Sequence, residues 1–250
     1  MFRLTFNGDE DLLDVVLPLL PGGVREDGDA LVAYSAAPFA PAVLEATRGA
    51  VDEVPADWKL RRMGEGVVIA DRVSIRSPFD RVPDVPIDVV VERRGSAFGS
   101  GSHPTTQMCV ALMLELEPGG DAADLGCGVG TLAIVAAKLG WAPVVAVDRV
   151  PVAIEVAREN VERNGVAVSC AVSDLAIDDV PLAALLLVNA PPPVQERVAA
   201  AVDARVRHVI VSGIVSDEVP AVVGWYRAAG YEVAQALGTE DEWIALRLSC

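Results

Sequence analysis

Aromatic side chains are scarce in this chain, with Phe, Trp and Tyr making up 5% of its 250 residues. Histidine is scarcer still, at His103 and His208 alone. The four cysteines, at 109, 127, 170 and 250, form neither a CxxC pair nor a zinc-ligand spacing. So thin a ligand set argues against a conventional metal site, and scattered single cysteines fit a reducing compartment. No apolar run approaches the ~20 residues that a membrane-spanning helix needs; the positive mean hydropathy, +0.39, reflects abundant Ala and Val. Arg3, Asp9 and Glu10 interrupt the first residues, so no signal-peptide core forms there and the chain is expected in the cytoplasm. Positive charge is also short: 20 Lys and Arg stand against 36 Asp and Glu, a net charge of −16. That surface repels phosphate backbones and argues against direct nucleic-acid binding, while a basic protein, peptide or amine suits it. Solubility alone is the plainer account of the same charge.

What is present concentrates in one stretch. Asp124-Leu125-Gly126-Cys127-Gly128-Val129-Gly130 follows the apolar residues of a buried strand, and Thr131 to Leu139 then read as a helix with Gly140 as its C-cap. Glycines suit such a turn because a Cβ would keep a ligand off the turn and the helix N-terminus. Val144 to Val147 form the next strand, and Asp148 at its end offers a carboxylate to a ribose diol. A dinucleotide fold wants G-x-G-x-x-G. Here the glycines run G-x-G-x-G with an acid at 124, which resembles motif I of the class I S-adenosylmethionine (SAM) methyltransferases. A nucleotide-free turn and an NAD(P) site remain open on this stretch alone.

The surrounding pattern predicts an α/β protein. A strand at 2–6, a helix at 9–20, a strand at 30–35 and a helix at 40–49 suggest a small α/β module over residues 1–75. Apolar pieces between Trp58 and Phe79 suggest a hairpin, and the proline-bearing piece from Pro78 to Pro86 a hinge, within a linker at 76–95 that carries one more strand at 87–92. Residues 96–250 then alternate: helix 105–117, the glycine strand, helix 131–139, strand 144–147, helix 152–164, strand 166–171, strand 184–189, helix 194–203, strand 207–212, helix 216–229 and strands 231–237 and 242–249. Such alternation implies a parallel, doubly wound sheet. The last two strands lack an intervening helix and are expected as an antiparallel hairpin. Seven strands with one reversed is the methyltransferase arrangement, which dehydrogenases lack.

A second dense cluster, Ala97-Phe98-Gly99-Ser100-Gly101-Ser102-His103-Pro104-Thr105-Thr106, precedes a helix. Ser102 or Thr105 acting only as helix caps is the plain reading. The segment is similar to the AFGTGxHxTT signature of the ribosomal protein L11 methyltransferase (PrmA) family. Glu159-Asn160, Arg163-Asn164-Gly165-Val166, Ser212-Gly213-Ile214 and Glu242-Trp243-Ile244-Ala245-Leu246 extend the resemblance, which covers roughly residues 96–248.

The resemblance implies a SAM-dependent N-methyltransferase whose amino-terminal module presents a protein substrate, across a mobile linker, to a second domain. The family methylates α- and ε-amino nitrogens of a ribosomal protein. Residues expected at the cofactor are Phe98, Thr105 and Thr106 from the first signature; Asp124, Gly126, Cys127, Gly128 and Gly130 from the glycine turn; and Asp148, Asp174 and Asn189 at strand ends. Asp174 is expected near the adenine amino group, with a solvated loop acid as the alternative. Asn189 is also the expected catalytic residue, its side-chain oxygen orienting an amine hydrogen. No metal ligand is expected, and no general base is assigned.

This chain departs from the family after the fourth strand of the larger domain, where Asn189-Ala190-Pro191-Pro192-Pro193 replaces Asn-Ile-Leu. That loop resembles, imperfectly, the Asn-Pro-Pro-Tyr loop of amide and adenine N-methyltransferases. Methyl transfer to a small-molecule amine or peptide natural product is therefore the second reading, and an inactive SAM-binding protein a third.

Overall fold

The computed structural model describes residues 2–8, 10–20, 24–27, 30–35, 37–53, 66–78, 80–92, 101–240 and 242–250. They fall into two compact units, one within Met1–Met63 and the other from Gly64–Arg93 and Ala97–Cys250.

The smaller unit contains β1 (Phe2–Phe6), α1 (Glu10–Val16), β2 (Arg25–Asp27), β3 (Ala30–Ser35), α2 (Pro41–Thr47) and β4 (Ala50–Glu53). Its sheet runs β2-β3-β1-β4 with every pairing antiparallel. Alternation along β1 points Leu4 and Phe6 inward, against Val16, Phe39 and Val43. α1 is shorter than its apolar spacing predicts. The stretch Leu17–Leu19 tightens into a 3-10 turn around Pro18, which has no N–H to donate to the preceding turn.

The larger unit opens with β5 (Val67–Ile69), β6 (Val73–Arg76) and β7 (Ile87–Val90), where β5 pairs antiparallel and β7 parallel with β6. The sequence places a linker at 76–95. Instead, Ile69, Val73, Ile75, Val89 and Val91 enter the large core with Met108 and Leu112, so apolar burial ties these strands to the second unit.

α3 (Pro104–Met113), β8 (Ala122–Leu125), α4 (Thr131–Leu139), β9 (Val144–Asp148), α5 (Pro151–Asn164), β10 (Val168–Val172), β11 (Leu185–Asn189), α6 (Pro192–Ala201), β12 (His208–Val215), α7 (Val219–Ala228), β13 (Glu232–Gly238) and β14 (Trp243–Ser249) follow. The sheet order is β10-β9-β8-β11-β12-β14-β13. The first five are parallel, and β14 runs antiparallel to both its neighbours. Leu185 and Leu187 enter the core on one face of β11, and Leu186 and Val188 the core on the other. A strand covered on both faces has no need of polar alternation, which is why β11 reads as a continuous apolar run. The strand order reverses between β8 and β11, where doubly wound sheets open a crevice beyond their carboxyl ends. No helix of the described residues is long and apolar enough to cross a membrane.

Candidate functional site

The turn between β8 and α4 is left-handed at all three glycines, with φ of +82° at Gly126, +53° at Gly128 and +84° at Gly130. It is held almost entirely by its own N–H groups. Gly126 and Cys127 both donate to the Val147 carbonyl, at 2.8 and 2.9 Å, and Gly130 donates to Cys127. Gly128 donates to Asp148 Oδ2 at 2.9 Å, while Val150 donates to Asp148 Oδ1 at 2.9 Å. Asp148 thus reaches the turn from the end of β9 and fixes it. A Cβ on Gly130 would lie 3.2 Å from the Ala157 side chain, so that glycine serves the packing of α5.

Asp124 lies beneath the turn, 1% exposed. Its Oδ2 accepts from the Ala133 N–H, 2.9 Å away in the first turn of α4. Burial pushes its pKa up to about 7; the Ala133 hydrogen bond opposes the rise and the nearby Asp148 charge adds to it.

The opposite wall comes from α3 and β11. Asn189, on the last position of β11, donates through Nδ2 to Thr105 Oγ1 at 3.2 Å. That hydroxyl lies 2.8 Å from His103 Nδ1, which also accepts the Thr105 N–H and caps α3. With Nδ1 as the common acceptor, the Thr105 hydroxyl donates to it, and Thr105 Oγ1 is left to accept from the Asn189 amide nitrogen. The Asn189 Oδ1 then faces away from Thr105. Trp243 holds the His103 ring edge to face, with centroids 5.1 Å apart. The helix cap is therefore His103, not Ser102 or Thr105.

Thr106, Asp124, Gly126, Cys127, Gly128 and Asn189 meet around one cavity, joined by Thr131 and Leu132 from the start of α4. Two of the expected residues bring buried oxygens with no hydrogen-bond partner among the described residues, Thr106 Oγ1 and Asn189 Oδ1. Buried polar atoms are rarely left so, and a bound ligand's donors would satisfy them. Asp174 does not join the cavity: its carboxylate accepts from the Ala176 N–H at 3.0 Å and closes a local turn. Phe98 lies outside the described residues.

Sequence reasoning missed Gln195 on α6, which is fully buried. Its Nε2 donates to Val188 O at 2.8 Å, Ala190 O at 3.0 Å and Ser212 O at 3.1 Å, while Tyr226 donates its hydroxyl to Oε1 at 3.1 Å. A signal was present: Gln195, Val198 and Ala199 occupy the inward i, i+3, i+4 stripe of α6. A polar residue on that stripe must find partners inside.

The lining fits a cationic amino acid–nucleoside better than a dinucleotide. It contains no Lys or Arg, and the N–H groups of Gly126, Cys127, Gly128 and Gly130 are spent on Val147, Cys127 and Asp148. A pyrophosphate needs such donors free. Asp124 and the unpaired oxygens instead suit ligand N–H and O–H groups and positive charge.

Comparison with known proteins agrees. The PrmA family, described as ribosomal protein L11 methyltransferase, matches residues 48–249. A ribosomal protein L11 methyltransferase of Thermotoga neapolitana is 38% identical over 68% of this chain and 69% of its own length. One from Cupriavidus necator is 32% identical over 88% of this chain and 75% of its own. The crystal structure of a ribosomal protein L11 methylase from Lactobacillus delbrueckii subsp. bulgaricus superposes with a TM-score of 0.59 at 26% identity, over 71% of this chain and 93% of that one. The chain belongs to the ribosomal protein L11 methyltransferase family and is a SAM-dependent methyltransferase.

Proposed function

We propose that this enzyme methylates amino nitrogens of a protein, lysine side chains or an α-amine, and that its acceptor is ribosomal protein L11, in the cytoplasm. The observation that carries the reading is the unpaired Asn189 Oδ1, buried beside the glycine turn and fixed through Nδ2 by Thr105. Thr106, Asp124 and the turn would hold the cofactor's amino-acid end, and Asp148 its ribose hydroxyls. The bound cofactor supplies an electrophilic methyl group on a sulfonium.

The residues of this chain align the acceptor. Asn189 Oδ1 accepts a hydrogen from the incoming neutral amine and so aims the nitrogen lone pair. The three prolines that follow, Pro191 to Pro193, restrict the backbone on that side. Alignment and exclusion of water make up a large part of the task, because the leaving thioether needs no proton. A lysine with a pKa near 10.4 must give up its proton first; an α-amine near 7.7–8.0 does so far more readily. The net charge of −16 supports a basic protein acceptor. The smaller unit is the part proposed to present it.

The test is incubation with methyl-labelled SAM and purified ribosomal protein L11, followed by mass spectrometry of the labelled protein. Methylated lysine or a methylated amino terminus on L11 is expected. Label confined to a small metabolite when cell extract replaces L11, with none on protein, would overturn the reading in favour of a small-molecule acceptor.

A further inference from the structure

We propose that Gln195 and Tyr226 form a clamp that positions Asn189 for methyl transfer. The inference rests on the role given to Asn189 above. The side chain of Asn189 can be no better placed than its backbone, and that backbone sits where β11 ends and the proline loop begins. Three carbonyls surround this point: Val188 before Asn189, Ala190 after it, and Ser212 beside it in register on β12. All three converge on the Nε2 of Gln195, within 2.8–3.1 Å.

A primary amide has two hydrogens for these three acceptors, so the group must face them with the right end. Tyr226 decides which end. Its hydroxyl donates to Oε1, leaving the NH2 toward the carbonyls; the opposite rotamer would set Oε1 against three carbonyl oxygens. Gln195 and Tyr226 are both fully buried, so water does not compete for these bonds. Gly213 crowds the same backbone: an added Cβ would stand 2.8 Å from the Ala190 nitrogen and 3.1 Å from Asn189 Oδ1. Neither Gln195 nor Tyr226 lines the cavity; they act through the Asn189–Ala190 backbone.

The test measures kcat and KM for L11, and Kd for SAM by calorimetry, in Gln195→Met, Tyr226→Phe, Asn189→Ala and the double variants. Methionine keeps the volume and loses the donors. Misplacing an aligning group by a fraction of an ångström to 1 Å should lower kcat about 10- to 100-fold in Gln195→Met. Loss of one neutral hydrogen bond in Tyr226→Phe should lower it about 3- to 5-fold. Kd for SAM should move less than about 3-fold in both, since a residue acting only on alignment leaves ground-state binding alone.

The deciding readout is coupling. In the Asn189→Ala background, Gln195→Met and Tyr226→Phe should each change kcat by less than about 2-fold, because the group they position is gone. Wild-type kcat in both single variants, or undiminished losses in the Asn189→Ala background, would overturn the clamp and leave a structural role only. If Gln195→Met fails to fold by circular dichroism, Tyr226→Phe carries the same comparison. Wild-type turnover in Asn189→Ala would instead overturn the reading of Asn189, and the clamp with it; a large loss there with none in the clamp variants overturns the clamp alone.

Discussion

The loop after β8 and the end of β11 close on the same cavity, yet their backbones are fixed by different means. The first is held through its own backbone: its glycines take left-handed φ values, and their N–H groups go to Val147, Cys127 and Asp148. The second is held through buried side chains, with Gln195 gripping its carbonyls, Tyr226 setting Gln195, and Gly213 pressed against it. The departure of Asn189-Ala190-Pro191-Pro192-Pro193 from the family's Asn-Ile-Leu falls on the loop that side chains hold.

If the two loops divide the work in this way, variants should separate binding from turnover. Asn189→Ala removes the oxygen proposed to aim the acceptor and is expected to have the largest effect. Turnover should fall about 100-fold, as for other lost alignments, with Kd for SAM changed less than about 3-fold by calorimetry. Equal losses in both would make Asn189 a cofactor residue and erase the contrast between the loops.

The glycines sharpen the comparison at the next level. At Gly213 a Cβ would meet the backbone nitrogen of Ala190 at 2.8 Å with φ +75°, so Gly213→Ala adds a clash to strain. A loss of about 2–3 kcal/mol in chemical unfolding is expected, together with lower turnover. At Gly126 the nearest contact would be the Ala190 side chain at 3.7 Å with φ +82°, leaving strain alone. Gly126→Ala should therefore cost about 1–2 kcal/mol for the left-handed backbone. Equal losses would mean that Gly213 is no more crowded than Gly126.

Asp148→Ala tests the cofactor side. Losing a charged hydrogen bond of roughly 1.5–3 kcal/mol should weaken SAM at least ~10-fold in calorimetry, with kcat at saturating SAM little changed. Unaltered affinity would remove Asp148 from the ribose and leave it as the brace of the turn, through Gly128 and Val150.

The contrast between the loops also marks what could be read from the sequence. Helix α4 runs from Thr131 to Leu139 and is closed by a left-handed Gly140, as its apolar spacing and terminal glycine predict. The reversed terminal hairpin was legible for a similar reason, because two strands with no helix between them leave little choice. β2 and β4 were not: Arg25–Asp27 and Ala50–Glu53 are short and lie at the edges of their sheet, and nothing in them alternates. α6 starts at Pro192 rather than 194, because proline at the first helical positions gives up N–H groups that would have no partner there anyway. β12 continues past Ser212 to Val215 through an irregularity between Val211 and Ile214, which no local pattern announces. In the site, Asp124, Gly126 and Asn189 were legible from strand ends and glycine spacing. Asp174 shares the same kind of position, but its carboxylate turns back onto Ala176. Gln195 could be found only by noticing that a polar side chain sat on an inward stripe.

Asp124 extends the comparison to pH, since it carries a buried, titrating carboxyl on the cofactor side. Below about pH 4 the carboxyl is protonated in folded and unfolded chains alike. Between there and about 7 the folded chain keeps a proton that the unfolded chain has lost. The folded state binds more protons over this range, so stability falls as pH rises, and the loss is complete once the pH has passed through the folded value. Asn at this position keeps an oxygen for the Ala133 N–H and carries no charge, imitating the protonated acid. From pH 6 to pH 8 the wild-type chain should lose about 1 kcal/mol relative to Asp124→Asn, roughly 2–4 °C in Tm for a chain of this size. Because every other titrating group is common to both proteins, the difference between their Tm curves isolates this carboxyl. Curves that run parallel across that interval would mean Asp124 is already ionised at pH 6, held by the N–H groups at the start of α4 more strongly than its burial opposes.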